Sequence, residues 1–382
     1  MIAYPRRQPL IDLLRHGEAG IRMGALHLLS ESYTDSPEIY ARVVEGWKAW
    51  GIDSAFTELP MLSFFPIPVA EIEDCYWRAE RMAVGQALTS PQSRAAGKLL
   101  EQLVTLPAVD LAEHVEAIAA AKQRSKIFFR VDMDTLRMRV EFLQYSADQL
   151  ARILDDSIDM LTRHRESAEA FRRASSALES LRLRFPDYID LPSVIRQGSS
   201  PSPHHEMSLL MTLQSLVRFP DPATLEAMVD LLSSEEEGIV STVTEALVRE
   251  GSPQSLEVFY RTYPSSKDPA RQWIARGLQR MNSSDAADWI AELRMAEPEP
   301  HLWLMLLIAE VRQFDASSAP RLARELDRLM SPSEMLIDSL CLFLSMHEPL
   351  EDEGVRELEK AFTDYLQRID RRLAKRLGDH LR

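Results

Sequence analysis

Asp221–Leu232, DPATLEAMVDLL, returns thirty-one residues later as Ser252–Tyr263, SPQSLEVFYRTY, and more loosely as Ser283–Arg294, SSDAADWIAELR. In the first copy Leu225, Met228, Val229 and Leu232 fall at i, i+3, i+4 and i+7, one face of an α-helix. The same step carries that face to Leu256, Phe259, Tyr260 and Tyr263. A second step carries it to Ala287, Ile290, Ala291 and Arg294, where the last place has drifted to a cation. The preceding helices keep time, with Ser215-Leu216, Ala246-Leu247 and Gly277-Leu278 at the same interval. Their small residues let neighbouring helices approach closely. Beyond residue 294 the register slips, but Trp303–Val311, Ala319–Met330 and Met335–Met346 continue the pattern of paired helices. One such pair cannot bury its apolar face alone; a row of them can.

Working outward, the same way of opening a helix recurs along the chain. Ser36-Pro37, Ser90-Pro91, Asp221-Pro222, Ser252-Pro253, Asp268-Pro269 and Ser331-Pro332 each precede a helical pattern. Ser or Asp accepts from orphan N–H groups at the N-cap, and proline at the next position has no N–H to orphan. Ser331-Pro332-Ser333-Glu334 also fits a capping box. Many sharp helix starts describe hairpins of short helices. Composition agrees: only 7% of residues are aromatic and 13 are glycine, while Leu, Ala, Glu and Arg abound. The 45% hydrophobic content excludes wholesale disorder.

Within this setting Lys267–Leu278, KDPARQWIARGL, resembles the first helix of a short HEAT-like repeat of the PBS-lyase type, and Ile21–Leu29, IRMGALHLL, reads similarly without the Asp-Pro. The resemblance spans about residues 8–50 and 204–347. It implies an all-α fold, an α-solenoid (α-α superhelix) of HEAT-like hairpins stacked as a right-handed superhelix and used for protein binding. A few members of the wider group are enzymes, among them bilin lyases and alkyl-base glycosylases.

The organisation expected is a HEAT-like hairpin over 1–51 and a helical region over 52–196. That region opens with a proline-bearing loop at 52–68 and contains a long antiparallel helix pair at about 132–164 and 166–184. A Ser- and Pro-rich linker, QGSSPSPHH, follows at 197–205, then repeats over 206–350 and a charged capping helix over 351–382.

The net charge is −15, and most of the acidic excess lies after residue 190. A duplex-binding surface must be cationic, so nucleic acid is disfavoured as a partner, and a protein with a basic segment is favoured. The strongest apolar run, His301–Val311, carries Glu310 and is too short to span a bilayer, so no membrane partner is expected. Two distant cysteines, Cys75 and Cys341, make no disulfide framework, which together with the lack of a leader pattern points to the cytoplasm.

Two strings look chemical. Asp155-Asp156-Ser157-Ile158-Asp159 reads D-D-x-x-D, the carboxylate cluster with which isoprenoid synthases hold Mg²⁺ and a diphosphate. No second copy exists; Asn282–Asp288 is a poor substitute. Arg152 and Arg163 lie at ion-pair spacing on the same arc, so a solvated helix face is the favoured reading. His204-His205-Glu206 offers three ligand types, but adjacent residues rarely converge on one metal. The arginines from Arg163 to Arg184, interleaved with Glu166, Glu169 and Glu179, read as a salt-bridged surface. With no G-x-S-x-G, Walker loop, G-x-G-x-x-G, H-E-x-x-H or C-x-x-C, neither catalytic residue, metal nor cofactor is expected.

The repeat itself supplies a site. Glu226, Glu257 and Asp288 share one helix position at the thirty-one-residue interval, and Asp230 and Glu292 share a second, interrupted by Arg261. The resemblance places second helices on the concave face, where such a column would attract a basic helix or tail. The sequence thus favours a non-catalytic scaffold or adaptor. The alternative is an all-α enzyme, isoprenoid-synthase-like through Asp155, Asp156 and Asp159, or lyase-like.

Overall fold

A computed structural model describes residues 7–32, 34, 36, 38–50, 67–85, 87, 90–125, 132–198, 202–234, 236–281, 286–329, 333–347 and 351–380. The Ser331-Pro332 start, Pro37, most of the 52–68 loop and the Asn282–Asp285 part of the weak acidic string lie outside them. Among the described residues there are twenty-one α-helices, short 3-10 turns and no strand. None of those helices is long and apolar enough to cross a membrane. The chain forms two compact units, one of Ser30–Val258 and one made of Met1–Leu29 together with Phe259–Arg382.

Several helix starts follow the Ser/Asp-Pro chemistry. Ser90 accepts from the Ser93 N–H and Asp221 from the Ala223 N–H, with proline next in each case. Ser252 accepts from the Ser255 N–H at 3.2 Å. Two starts differ. Asp268 is already inside its helix, where its carboxylate takes Arg271 instead of capping. The helix Glu334–Met346 is capped by Ser333, which accepts from the Leu336 N–H.

In the unit Ser30–Val258, the helices Ala147–Arg163 and Ala168–Arg184 pack side by side across the short link 164–167. Leu150, Leu154, Ile158 and Leu161 of one bury against Ala170, Ala174, Ala177, Leu178 and Leu181 of the other. The long helix expected from about residue 132 is in fact two. Met133–Glu141 ends in a 3-10 turn, Tyr145 is extended, and Ser146 opens the next helix with a capping box to Gln149. The Ser146-x-x-Gln149 spacing was the signal for that break. A second correction concerns Glu179, which is not a surface charge: it is 3% exposed. Arg139 donates to both of its oxygens at 2.7 and 2.8 Å, Arg218 donates at 3.3 Å, and the Ala108 N–H donates at 3.0 Å. Both arginines also donate to the carbonyls of Val104 and Leu106, which follow the helix Pro91–Leu103. Cationic donors at a helix C-terminus satisfy carbonyls that have no partner within the helix.

In the other unit, the place to which the repeat had drifted keeps its burial. Ala287, Ile290 and Ala291 are buried, and so is Arg294, at 1% exposure. Its guanidinium lies 5.3 Å from the Trp303 ring and donates to Glu310 at 2.9 Å; Glu325 is 3.1 Å away. Glu310, from the apolar run, is 0% exposed and also accepts from Arg321 at 2.6 Å. The helix Glu353–His380 buries Val355, Leu358, Phe362, Tyr365 and Ile369 at helical spacing. Arg368 on this helix donates to the Leu326 carbonyl at 2.7 Å.

Breaking such a pair costs more than the pair contributes, because a charge stays buried without its partner. Glu310→Leu is expected to lower urea-unfolding stability by ~3–5 kcal/mol, and adding Arg294→Met to recover part of it. Equal losses in the two variants would contradict the coupling. For Glu179, burial alone pushes the carboxyl up. The hydrogen bonds and charge of Arg139, the charge of Arg218 and the Ala108 N–H overcome that and hold it below the usual range. A carboxyl depressed on folding contributes stability that is complete above its unfolded pKa of ~4.3 and is lost as pH falls through its folded value. Urea melts across that acid range should show a shallower pH slope in Glu179→Gln than in the parent.

Candidate functional site

In the unit Ser30–Val258, four helices converge on a cavity of about 460 Å³. Local chemistry sets each wall. Phe185 ends the helix Ala168–Arg184 because Pro186 follows it. A 3-10 turn then brings Tyr188 and Ile189 to the rim, and Asp190 caps Leu191–Gln197 by accepting from the Ser193 N–H at 3.1 Å. The helix Pro203–Arg218 begins with proline and supplies His204, His205, Ser208, Met211 and Thr212 to the lining. Leu154, Asp155 and Ile158 line it from Ala147–Arg163, and Leu178 and Leu181 from Ala168–Arg184.

The structure thus brings together parts of the two chemical strings that the sequence kept apart. Asp155, His204 and His205 line one cavity, and His204 Nε2 lies 3.7 Å from the Asp159 carboxylate. Asp155, Asp156 and Asp159 are all exposed, opposite the buried Leu150, Leu154, Ile158 and Leu161, and Arg163 stands 4.0 Å from Asp159. Glu206 turns to Arg165, which donates to it at 3.1 and 3.2 Å. Among the described residues no group of three or more His, Cys, Asp or Glu side chains is placed to hold a metal ion.

Two of the remaining polar side chains of the lining are hydrogen-bonded within the unit, whereas His205 Nδ1 is buried with no hydrogen-bond partner among the described residues. The Tyr188 hydroxyl donates to Asp148 at 2.8 Å, and that bond raises its pKa. The Ser208 hydroxyl donates to the His204 carbonyl at 2.8 Å. The arginines read from sequence as a charged surface are partly structural. Arg172 pairs with Asp132 at 2.9 Å, Arg184 donates to the Tyr145 carbonyl at 2.7 Å, and Arg182 donates to the Ser215 and Phe219 carbonyls.

The acidic positions picked out by the repeat are all exposed. Glu226, Asp230 and Glu257 belong to the unit Ser30–Val258, where Asp230 joins Glu206 and Glu236 in lining a recess of about 430 Å³. Asp288 and Glu292 belong to the other unit. There Asp288 accepts from Arg321 at 3.2 Å, and Glu292 accepts from the Tyr260 hydroxyl at 2.7 Å. Tyr260 stacks on Trp289 with ring centroids 5.2 Å apart. This aromatic pair was missed from sequence, although Tyr260 and Trp289 stand near Glu257 and Asp288 in the repeat.

Neither a family model nor a curated protein matches the chain at a significant level.

One close approach fixes the wall that carries Val194 and Gln197. A Cβ added to Gly198 would lie 2.6 Å from Leu209 Cβ. Gly198→Ala is therefore expected to lower stability by ~1–3 kcal/mol. Adding Leu209→Ala should not restore it, because the collision is with Cβ itself. Thermal unfolding of the single and double variants tests both statements.

Proposed function

We propose that this chain is a non-catalytic helical scaffold that binds another protein through acidic patches facing a basic segment of the partner. The observation that carries this is the exposure of Glu226, Asp230 and Glu257 directly beside the buried Leu225, Met228, Leu256 and Phe259 of their modules. A surface charge next to a buried face sits on rigid backbone, so little ordering is needed when a partner docks. The acidic recess around Asp230 adds depth into which a lysine or arginine side chain could reach.

Within this proposal the hairpins of each unit stack as HEAT-like repeats, and the shared helix positions present their carboxylates at regular intervals. Asp288 and Glu292 form a second patch on the other unit, where stacked Tyr260 and Trp289 offer the aromatic faces that guanidinium groups favour. The largest buried charge clusters support a structural role for the interior. Arg139, Glu179 and Arg218, and likewise Arg294, Glu310 and Arg321, are committed to each other.

Peptide display against the full chain tests this. The parent is expected to enrich basic sequences, and Glu226→Lys/Asp230→Lys/Glu257→Lys to bind them about tenfold more weakly, as three rim charges at ~0.5 kcal/mol each imply. Recovery of the same peptides with unchanged affinity by the triple variant would discard the acidic patch.

A further inference from the structure

We propose that the four-helix cavity of the unit Ser30–Val258 is a binding site for a small apolar molecule that carries one amine. This is independent of the protein-binding role, since the cavity and the residues Glu226 and Glu257 share no lining side chain.

Size, wall and charge each narrow the ligand. A volume of about 460 Å³ falls in the range of ~300–1,000 Å³ typical of small-molecule sites. The floor is apolar: Leu178, Leu181 and Met211 are buried side chains contributed by two helices. Asp155 is the single carboxylate in the lining, which contains neither Lys nor Arg. It is exposed to solvent. An anionic ligand would meet it with repulsion, and a wholly apolar one would strip its water without replacement.

The hydrogen-bonding groups select in the same direction. Tyr188 gives its proton to Asp148, and Ser208 gives its proton to the His204 carbonyl. What these two hydroxyls have left is lone pairs. Together with Asp155 they supply acceptors to a lining that also holds Gln197, Thr212, His204 and His205, whose side chains can donate. An ammonium group meets the Asp155 carboxylate and these acceptors, while its apolar body fills the floor.

Calorimetric titration of the full chain with phenethylamine tests the proposal, with 2-phenylethanol and 3-phenylpropionate as neutral and anionic controls of the same shape. The titrations are run at about pH 8, where ordinary histidines are neutral. The amine is expected to bind more tightly than either control. Asp155→Asn, at an exposed position, should weaken the amine about fivefold while leaving the alcohol unchanged. Ala151→Trp, which fills the cavity from its lining, should weaken both amine and alcohol. Should that variant not fold, as judged by circular dichroism, Asp155→Asn decides alone. Equal binding of the three probes, amine binding indifferent to Asp155→Asn, or no binding of the amine at millimolar concentration would each overturn the site.

Discussion

A single buried carboxylate holds the larger unit's segments in register. Glu179 is reached by Arg139 from one helix, Arg218 from another and the N–H of Ala108, which opens the short helix Ala108–Leu111. Four stretches of chain far apart in sequence therefore meet at two oxygen atoms. Apolar contacts alone tolerate sliding, because leucine against leucine is nearly as good one turn along. A carboxylate between two guanidinium groups has one good geometry, and displacement leaves charge in a medium that cannot solvate it. The helix pair that forms one side of the cavity depends on this anchor, since Glu179 lies between Leu178 and Leu181 on the same helix.

The second unit uses the same device with the roles spread differently. Glu310 lies between Arg294 and Arg321; Glu325 pairs with Arg294 Nη1, and Asp288 pairs with Arg321 toward the surface. Charge thus runs from the core outward, and Asp288 belongs both to this chain of bonds and to the exposed acidic patch. By contrast Glu226, Asp230 and Glu257 belong to the unit without that network.

The helical class was legible in the residues themselves. Proline after Ser or Asp marked real helix starts at Ser90, Asp221 and Ser252, and the helical spacing marked faces that are buried at i, i+3 and i+7, with Val229 and Tyr260 at i+4 only partly covered. The thirty-one-residue step also carried burial faithfully to position 294, where residue type alone would have placed the side chain in water. What neutralises Arg294 lies sixteen residues on, in Glu310, and only three-dimensional contact joins the two. Glu179 was misread for the same reason: a glutamate among arginines looks solvated until the helices that surround it are known. The cavity was legible only in fragments. Its apolar lining looks like ordinary core, and Asp155 and His204 come from separate strings whose meeting depends on how the chain returns through Tyr188 and Gly198.

The discontinuous unit has a consequence for synthesis. Met1–Leu29 leaves the ribosome before Ser30–Val258, and its compact partner, Phe259–Arg382, only after it. The whole of Ser30–Val258 can collapse and form its own core while the leading segment waits with an apolar stripe that includes Leu14, Ile21, Leu26 and Leu29 still uncovered. Joining the two parts then closes a loop whose middle is already folded. The order of translation therefore gives the continuous inner unit a head start over the split one.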